Sequence, residues 1–127
     1  MTDDPENRRK HRRFTLSRAA RMILAPLREE SPGQLIDISV NGASLTTQWA
    51  ITAGVHVFIS FVYEGEPCEA TGSVVRVFPF GRVYGLAVEF GFANEALYRF
   101  IQILEATPDA TRPHLLDQVS EITVQIA

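Results

Sequence analysis

Cysteine is almost absent from this chain of 127 residues: Cys68 stands alone, which excludes an internal disulfide and a thiolate-rich metal site. Its expected role is that of a small buried or half-buried apolar side chain. Lysine is as scarce, with Lys10 the one lysine among twelve basic residues. No apolar run approaches the roughly 20 residues that span a bilayer. The polar segment from Met1 to Arg13 also lacks the apolar core of a signal peptide, so a cytoplasmic product without membrane insertion is expected. Histidine is limited to His11, His56 and His114, none at metal-ligand spacing from another. The HExxH, Walker, GxGxxG and GxSxG patterns are all missing. Catalytic residues, metal ligands and cofactors are therefore expected to be none, and the chain is not expected to be an enzyme.

What is present is an ordinary globular composition, 46% hydrophobic and 21% charged, enough apolar material for one core. The length suits one domain with short extensions. Charge is uneven. The formal net charge is −3, yet eight of the twelve basic residues (Arg8, Arg9, Lys10, Arg12, Arg13, Arg18, Arg21 and Arg28) fall within the first 28 positions. The stretch NRRKHRRF, Asn7 to Phe14, holds five cations in six consecutive positions. Arginine, unlike lysine, offers a planar fork of donors and a flat face, suited to phosphates and to stacking on bases. Residues 1–13 show no hydrophobic periodicity and read as a flexible basic arm.

Residues 14–105 read as strands separated by turns. An edge-like strand is expected over Arg18 to Leu27, with Pro26 opposing a helix. Glu29 to Gly33 (EESPG) reads as a turn, and Gln34 to Val40 as the next strand. Asn41-Gly42 between extended segments is a hairpin signal, because both residues tolerate positive φ. Ala43 to Thr47 (ASLTT) is the returning strand, and Val55 to Tyr63, Glu69 to Phe78 and Val83 to Phe90 complete the strands, with aromatics such as Phe58, Phe61 and Phe78 expected in the core. Turns every 8–12 residues indicate an all-β antiparallel barrel or sandwich. A helix follows from Asn94, a capping residue, with Leu97, Phe100, Ile101 and Leu104 on one stripe that would plug a barrel mouth. Residues 106–127 form a tail with an apolar segment readable as short helix or strand.

The second functional signal is DISVNG, Asp37 to Gly42. A carboxylate, a hydroxyl and a glycine stand at i, i+2 and i+5, at a strand end and its turn. Alternation puts Asp37 and Ser39 on one face, while Gly42 permits a sharp turn and close approach. A carboxylate opposes a phosphate groove but accepts from the N1–H and N2–H₂ donors of guanine. Arm and strand end together ask for a ligand carrying both phosphates and guanines.

The order RxxxR, then DxSxxG 24 residues past the arm, then strands and a terminal helix, resembles the PilZ domain, the bacterial receptor module for cyclic di-GMP. The likeness covers roughly Asn7 to Leu104. It implies a six-stranded antiparallel β-barrel with a C-terminal helix closing one end. It also implies ligand contacts from Arg8, Arg9, Arg12, Arg13, Asp37, Ser39 and Gly42, the arginines clamping phosphate and stacking on guanine. Both Arg8/Arg12 and Arg9/Arg13 satisfy RxxxR; the family's placement of the second arginine just before the first strand, here at Phe14 and Leu16, favours Arg9/Arg13. The implied partners are cyclic di-GMP and an unidentified effector protein, with no DNA expected and a monomer or weak homodimer as the state. Two alternatives stay open: a nucleic-acid-binding β-barrel that uses the basic arm, and a degenerate member that binds only a protein partner.

Overall fold

The computed structural model describes residues 12–25 and 27–127. The expectations for Arg8, Arg9, Pro26 and most of the arm lie outside the described residues.

Among the described residues, seven strands close into a barrel: β1 (Phe14–Leu24), β2 (Glu29–Ser39), β3 (Gly42–Thr47), β4 (His56–Tyr63), β5 (Glu66–Phe80), β6 (Val83–Ala93) and β7 (Ile122–Ile126). Around the barrel the order is β1-β2-β3-β6-β5-β4-β7. The all-β class, the barrel and the C-terminal helix agree with the sequence reading; the strand count is seven rather than six. The additional strand comes from the tail. Ile122, Val124 and Ile126 point inward and Thr123 and Gln125 outward, a period-2 pattern. β7 runs parallel to β1 and antiparallel to β4, so the barrel is not wholly antiparallel, and β1 has a neighbour on both sides rather than being an edge.

Two turns also differ from expectation. Glu29 to Gly33 belongs to β2, and the reversal falls before it, where Arg28 has φ 56°. Pro32 is tolerated because β2 pairs with β3 only from Gln34 onward, leaving this stretch a partner on one side only, which suits a residue without an N–H. In the β2–β3 hairpin, Ser39 pairs with Gly42, so Val40 and Asn41 make the turn. Neither Asn41 nor Gly42 takes positive φ. Glycine is required at 42 for another reason: a Cβ there would sit 2.5 Å from the Val88 carbonyl oxygen.

The core lies inside the barrel and under the helix α1 (Glu95–Ala106). Asn94 caps α1 by accepting from the Leu97 N–H at 3.0 Å, and Leu97, Phe100, Ile101 and Leu104 are all buried. Phe100 meets Phe61 and Tyr63 edge-on, each at 5.1 Å between centroids. Of the three aromatics expected in the core, only Phe61 is fully buried; Phe58 and Phe78 are half-buried. A short helix, α2 (Arg112–Leu116), tucks Leu115 and Leu116 inward before β7 begins.

Candidate ligand site beside the arm

The end of the arm meets the end of β2 because of two irregularities in pairing. Between Thr15 and Arg18, β1 carries one more residue than β2, and between Leu35 and Asp37, β2 carries one more than β3. Such bulges re-aim the side chains that follow. Leu35 is buried, Ile36 is the extra residue, and Asp37 then lies toward the surface while Ile38 returns to the core. Within the first bulge Ser17 takes φ 48°, a conformation that L side chains adopt at a cost and that tends to persist where the surroundings enforce it.

Arg13 reaches across this junction. Its Nη1 donates to Asp37 Oδ1 at 3.0 Å and to Ser44 Oγ at 3.3 Å. Both members of the ion pair are about a quarter exposed, at 27% and 23%, so solvent and a ligand can reach them. Asp37 pairs in register with Thr15 on β1 and Ser44 on β3. Three adjacent strands thus build one seat for a guanidinium. Arg12 lies 5.0 Å from the Phe14 ring centroid, a cation–π distance.

Ser39 is placed differently from Asp37. It is fully buried; its hydroxyl donates to Asn41 Oδ1 at 2.6 Å and accepts from the Asn41 N–H at 3.3 Å. Ser39 therefore pins the turn instead of pointing outward beside Asp37. The alternation rule fails here because Ile38 and Ser39 are both enclosed at the strand end. Gly42, as above, brings the backbone close to β6. Of the expected site, the structure joins Arg13 to Asp37 directly and has Ser39 and Gly42 shape the turn beside them.

Sequence reasoning missed three contributors. Ser44 accepts from Arg13; its register opposite Asp37 is a consequence of the bulge and has no local signal. Arg18 and Arg112 line the same cavity of about 610 Å³ as Arg12, Arg13 and Phe14. Arg18 was visible only as a member of the basic N-terminal third, and Arg112 lies in the tail, nearly a hundred positions from the arm. Among the described residues no group of His, Cys, Asp and Glu is arranged to hold a metal ion, and no helix is long and apolar enough to cross a membrane.

A family model for the PilZ domain matches residues 7–104, which takes in the arginine-rich part of the arm, the DxSxxG strand end, six strands and most of α1. The chain belongs to the PilZ domain family. PilZ domains are receptors for cyclic di-GMP and act as binding and adaptor modules rather than enzymes. No curated protein matches the chain closely enough to count as a relative. The PilZ match ends at Leu104, so α2 and β7, with Arg112 among them, lie beyond the segment that defines the family.

Proposed function

We propose that this PilZ domain binds cyclic di-GMP at the junction of the arm and the β2 end, and needs no cofactor to do so. The observation that carries this reading is the 3.0 Å pair between Arg13 and Asp37: the last arginine of the arm and the carboxylate of DxSxxG share one open seat. Arg13 occupies the second arginine place of the Arg9/Arg13 register. In the bound state Asp37 accepts from the N1–H and N2–H₂ of a guanine, and Arg13, turned from carboxylate to ligand, donates to phosphate or to the base. Arg12, with Arg8 and Arg9 from the arm, supplies further charge and flat stacking faces. A nucleic-acid backbone site would leave Asp37 unexplained, since a carboxylate repels phosphate.

The energetics favour a closing arm. Fixing each backbone residue costs on the order of 1–2 kcal/mol. Charge-assisted hydrogen bonds contribute about 1.5–3 kcal/mol apiece, so a few arginine–phosphate contacts plus stacking offset the ordering of a short segment and leave affinity in the micromolar range. Closure changes the surface at this end of the barrel, and a partner protein reads that change. Calorimetric titration with cyclic di-GMP tests the proposal. Wild-type protein binds and Arg13→Ala does not, with the fold retained; equal affinity for the two would overturn it. Protease sensitivity near Arg13 falls on adding the dinucleotide, and equal digestion rates would count against arm closure.

A further inference from the structure

We propose that Arg112, from the tail beyond the PilZ match, is an additional ligand-binding arginine that contacts phosphate in the cavity lined by Arg12, Arg13 and Phe14, which adjoins the Asp37 seat through Arg13. The proposal rests on the cyclic di-GMP reading above and extends its site to a segment the family pattern does not contain.

Among the described residues, Arg12, Arg13, Arg18 and Arg112 line this cavity, with Asp109 beside them. Arg12 and Arg112 converge on one ring, each 5.0 Å from the Phe14 centroid, which puts the two charges no more than about 10 Å apart by adding the two distances. At that limit, just past the roughly 8 Å Debye length of physiological salt, solvent largely screens the two cations and leaves a weak repulsion. A single phosphate between them converts the repulsion into two attractions. Phe14 itself is buried, so the ring holds both cations to a fixed surface.

Arg112 is positioned rather than loose. Its Nε donates to the Leu104 carbonyl oxygen at 3.1 Å, satisfying a carbonyl near the end of α1, where a cation also complements the helix dipole. Its Nη1 pairs with Asp109 at 2.5 Å. These contacts use two of the five N–H donors that a guanidinium carries. The side chain is only 18% exposed, whereas Asp109 is 85% exposed. The carboxylate is thus a weak, solvent-screened holder of Arg112, as Asp117 at 68% exposure is of Arg18. Exposed ion pairs contribute little to stability, so exchanging Asp109 for a ligand phosphate costs little. The ring, the helix-end carbonyl and the displaceable carboxylate together leave Arg112 pre-set for an anion.

The test is calorimetric titration of cyclic di-GMP into full-length wild type, Arg13→Ala, Arg112→Ala, Arg112→Lys, Asp109→Asn and the double variant Asp109→Asn/Arg112→Ala, with thermal unfolding of each. The proposal expects Arg112→Ala to weaken binding by roughly tenfold or more, the loss of one charge-assisted contact, with Arg112→Lys recovering part of it. Asp109→Asn, which keeps Arg112 and frees it from its competitor, tightens binding a few-fold. Asp109 also lines the cavity and repels an anion directly, so the tightening is assigned to Arg112 only where it is lost in the double variant Asp109→Asn/Arg112→Ala. Unchanged or weaker binding by Asp109→Asn, or tightening that persists in the double variant relative to Arg112→Ala, overturns the proposal, whatever happens to the stability of Arg112→Ala. Wild-type affinity in Arg112→Ala together with loss in Arg13→Ala overturns it while the receptor reading stands. Absence of binding by the wild type removes both.

Discussion

Asp37 meets Arg13 at the surface because the bulge after Leu35 turns the carboxylate outward. Removing it should separate affinity from selectivity. In Asp37→Ala the phosphate contacts survive, but the acceptor for guanine is gone. Discrimination between cyclic di-GMP and cyclic di-AMP in a competition assay should fall by roughly 10–100-fold, about 1.4–2.8 kcal/mol, more than the affinity itself falls. Unaltered discrimination would show that the carboxylate does not read the base. Cys68 offers a test at the same scale, unconnected with ligand. It is 1% exposed, and burial, helped by the nearby charge of Glu66, pushes its thiol up to about 11 from a usual value of 9.0. Because the folded thiol holds its proton more tightly than the unfolded one, stability is unaffected below about pH 9 and falls as pH rises from there toward 11. Denaturant unfolding across this range should show the decline, and iodoacetamide near neutral pH should modify the native protein far more slowly than the denatured chain. Gly42 is tightly constrained as well. Gly42→Ala forces a Cβ toward the Val88 carbonyl and should cost about 1–3 kcal/mol, as overpacked cores do, measurable as a lower Tm.

Among the elements, α1 is the clearest case of sequence specifying structure. The capping Asn94 and the i, i+3, i+4, i+7 stripe are local signals, and each keeps its meaning in the fold because the helix needs only one apolar face and one cap. Asn94 also accepts from the Glu69 N–H at 3.1 Å and donates to the Pro67 carbonyl at 2.8 Å, joining the helix start to β5. Asn94→Ala should therefore lie at the high end of a lost cap, about 2 kcal/mol, and Phe100→Ala, which empties the contacts with Phe61 and Tyr63, should cost about 3–5 kcal/mol. Chemical denaturation would rank the two. Phe100→Ala as the milder change would contradict the plug. The β2–β3 hairpin was legible too, but shifted by one residue. Asn-Gly announces a turn by its backbone freedom, whereas here Ser39 secures the reversal one position earlier and Gly42 is spent on the approach of β6. A sequence signal for a turn cannot say which of two reasons for a glycine applies.

For the whole molecule, the tail is a stave of the barrel. β7 occupies the gap between β1 and β4, and Arg18–Asp117 at 2.7 Å, with Arg21–Glu121 at 3.7 Å, ties the same tail to β1. Deleting residues 121–127 should leave two strands with unpaired edges, which favours self-association. Gel filtration should show larger species and thermal unfolding a lowered Tm, while an unchanged monomeric profile and Tm would mean the other six strands close without it.

The sequence by itself determined the chemistry available: a basic, arginine-dominated N-terminal stretch, a carboxylate at a strand end, a single thiol, alternating strands and a capped amphipathic helix. These rest on residue type and on periods of 2 and 3.6, which operate over a few positions. Tertiary structure alone decided which groups meet. The bulges that aim Asp37 outward, the enclosure of Ser39, the seating of Arg13 on Asp37 and Ser44, and the arrival of Arg112 beside Phe14 all depend on strand register and on how the tail closes the barrel. Register is a property of pairs of strands far apart in the chain, so no window of sequence contains it.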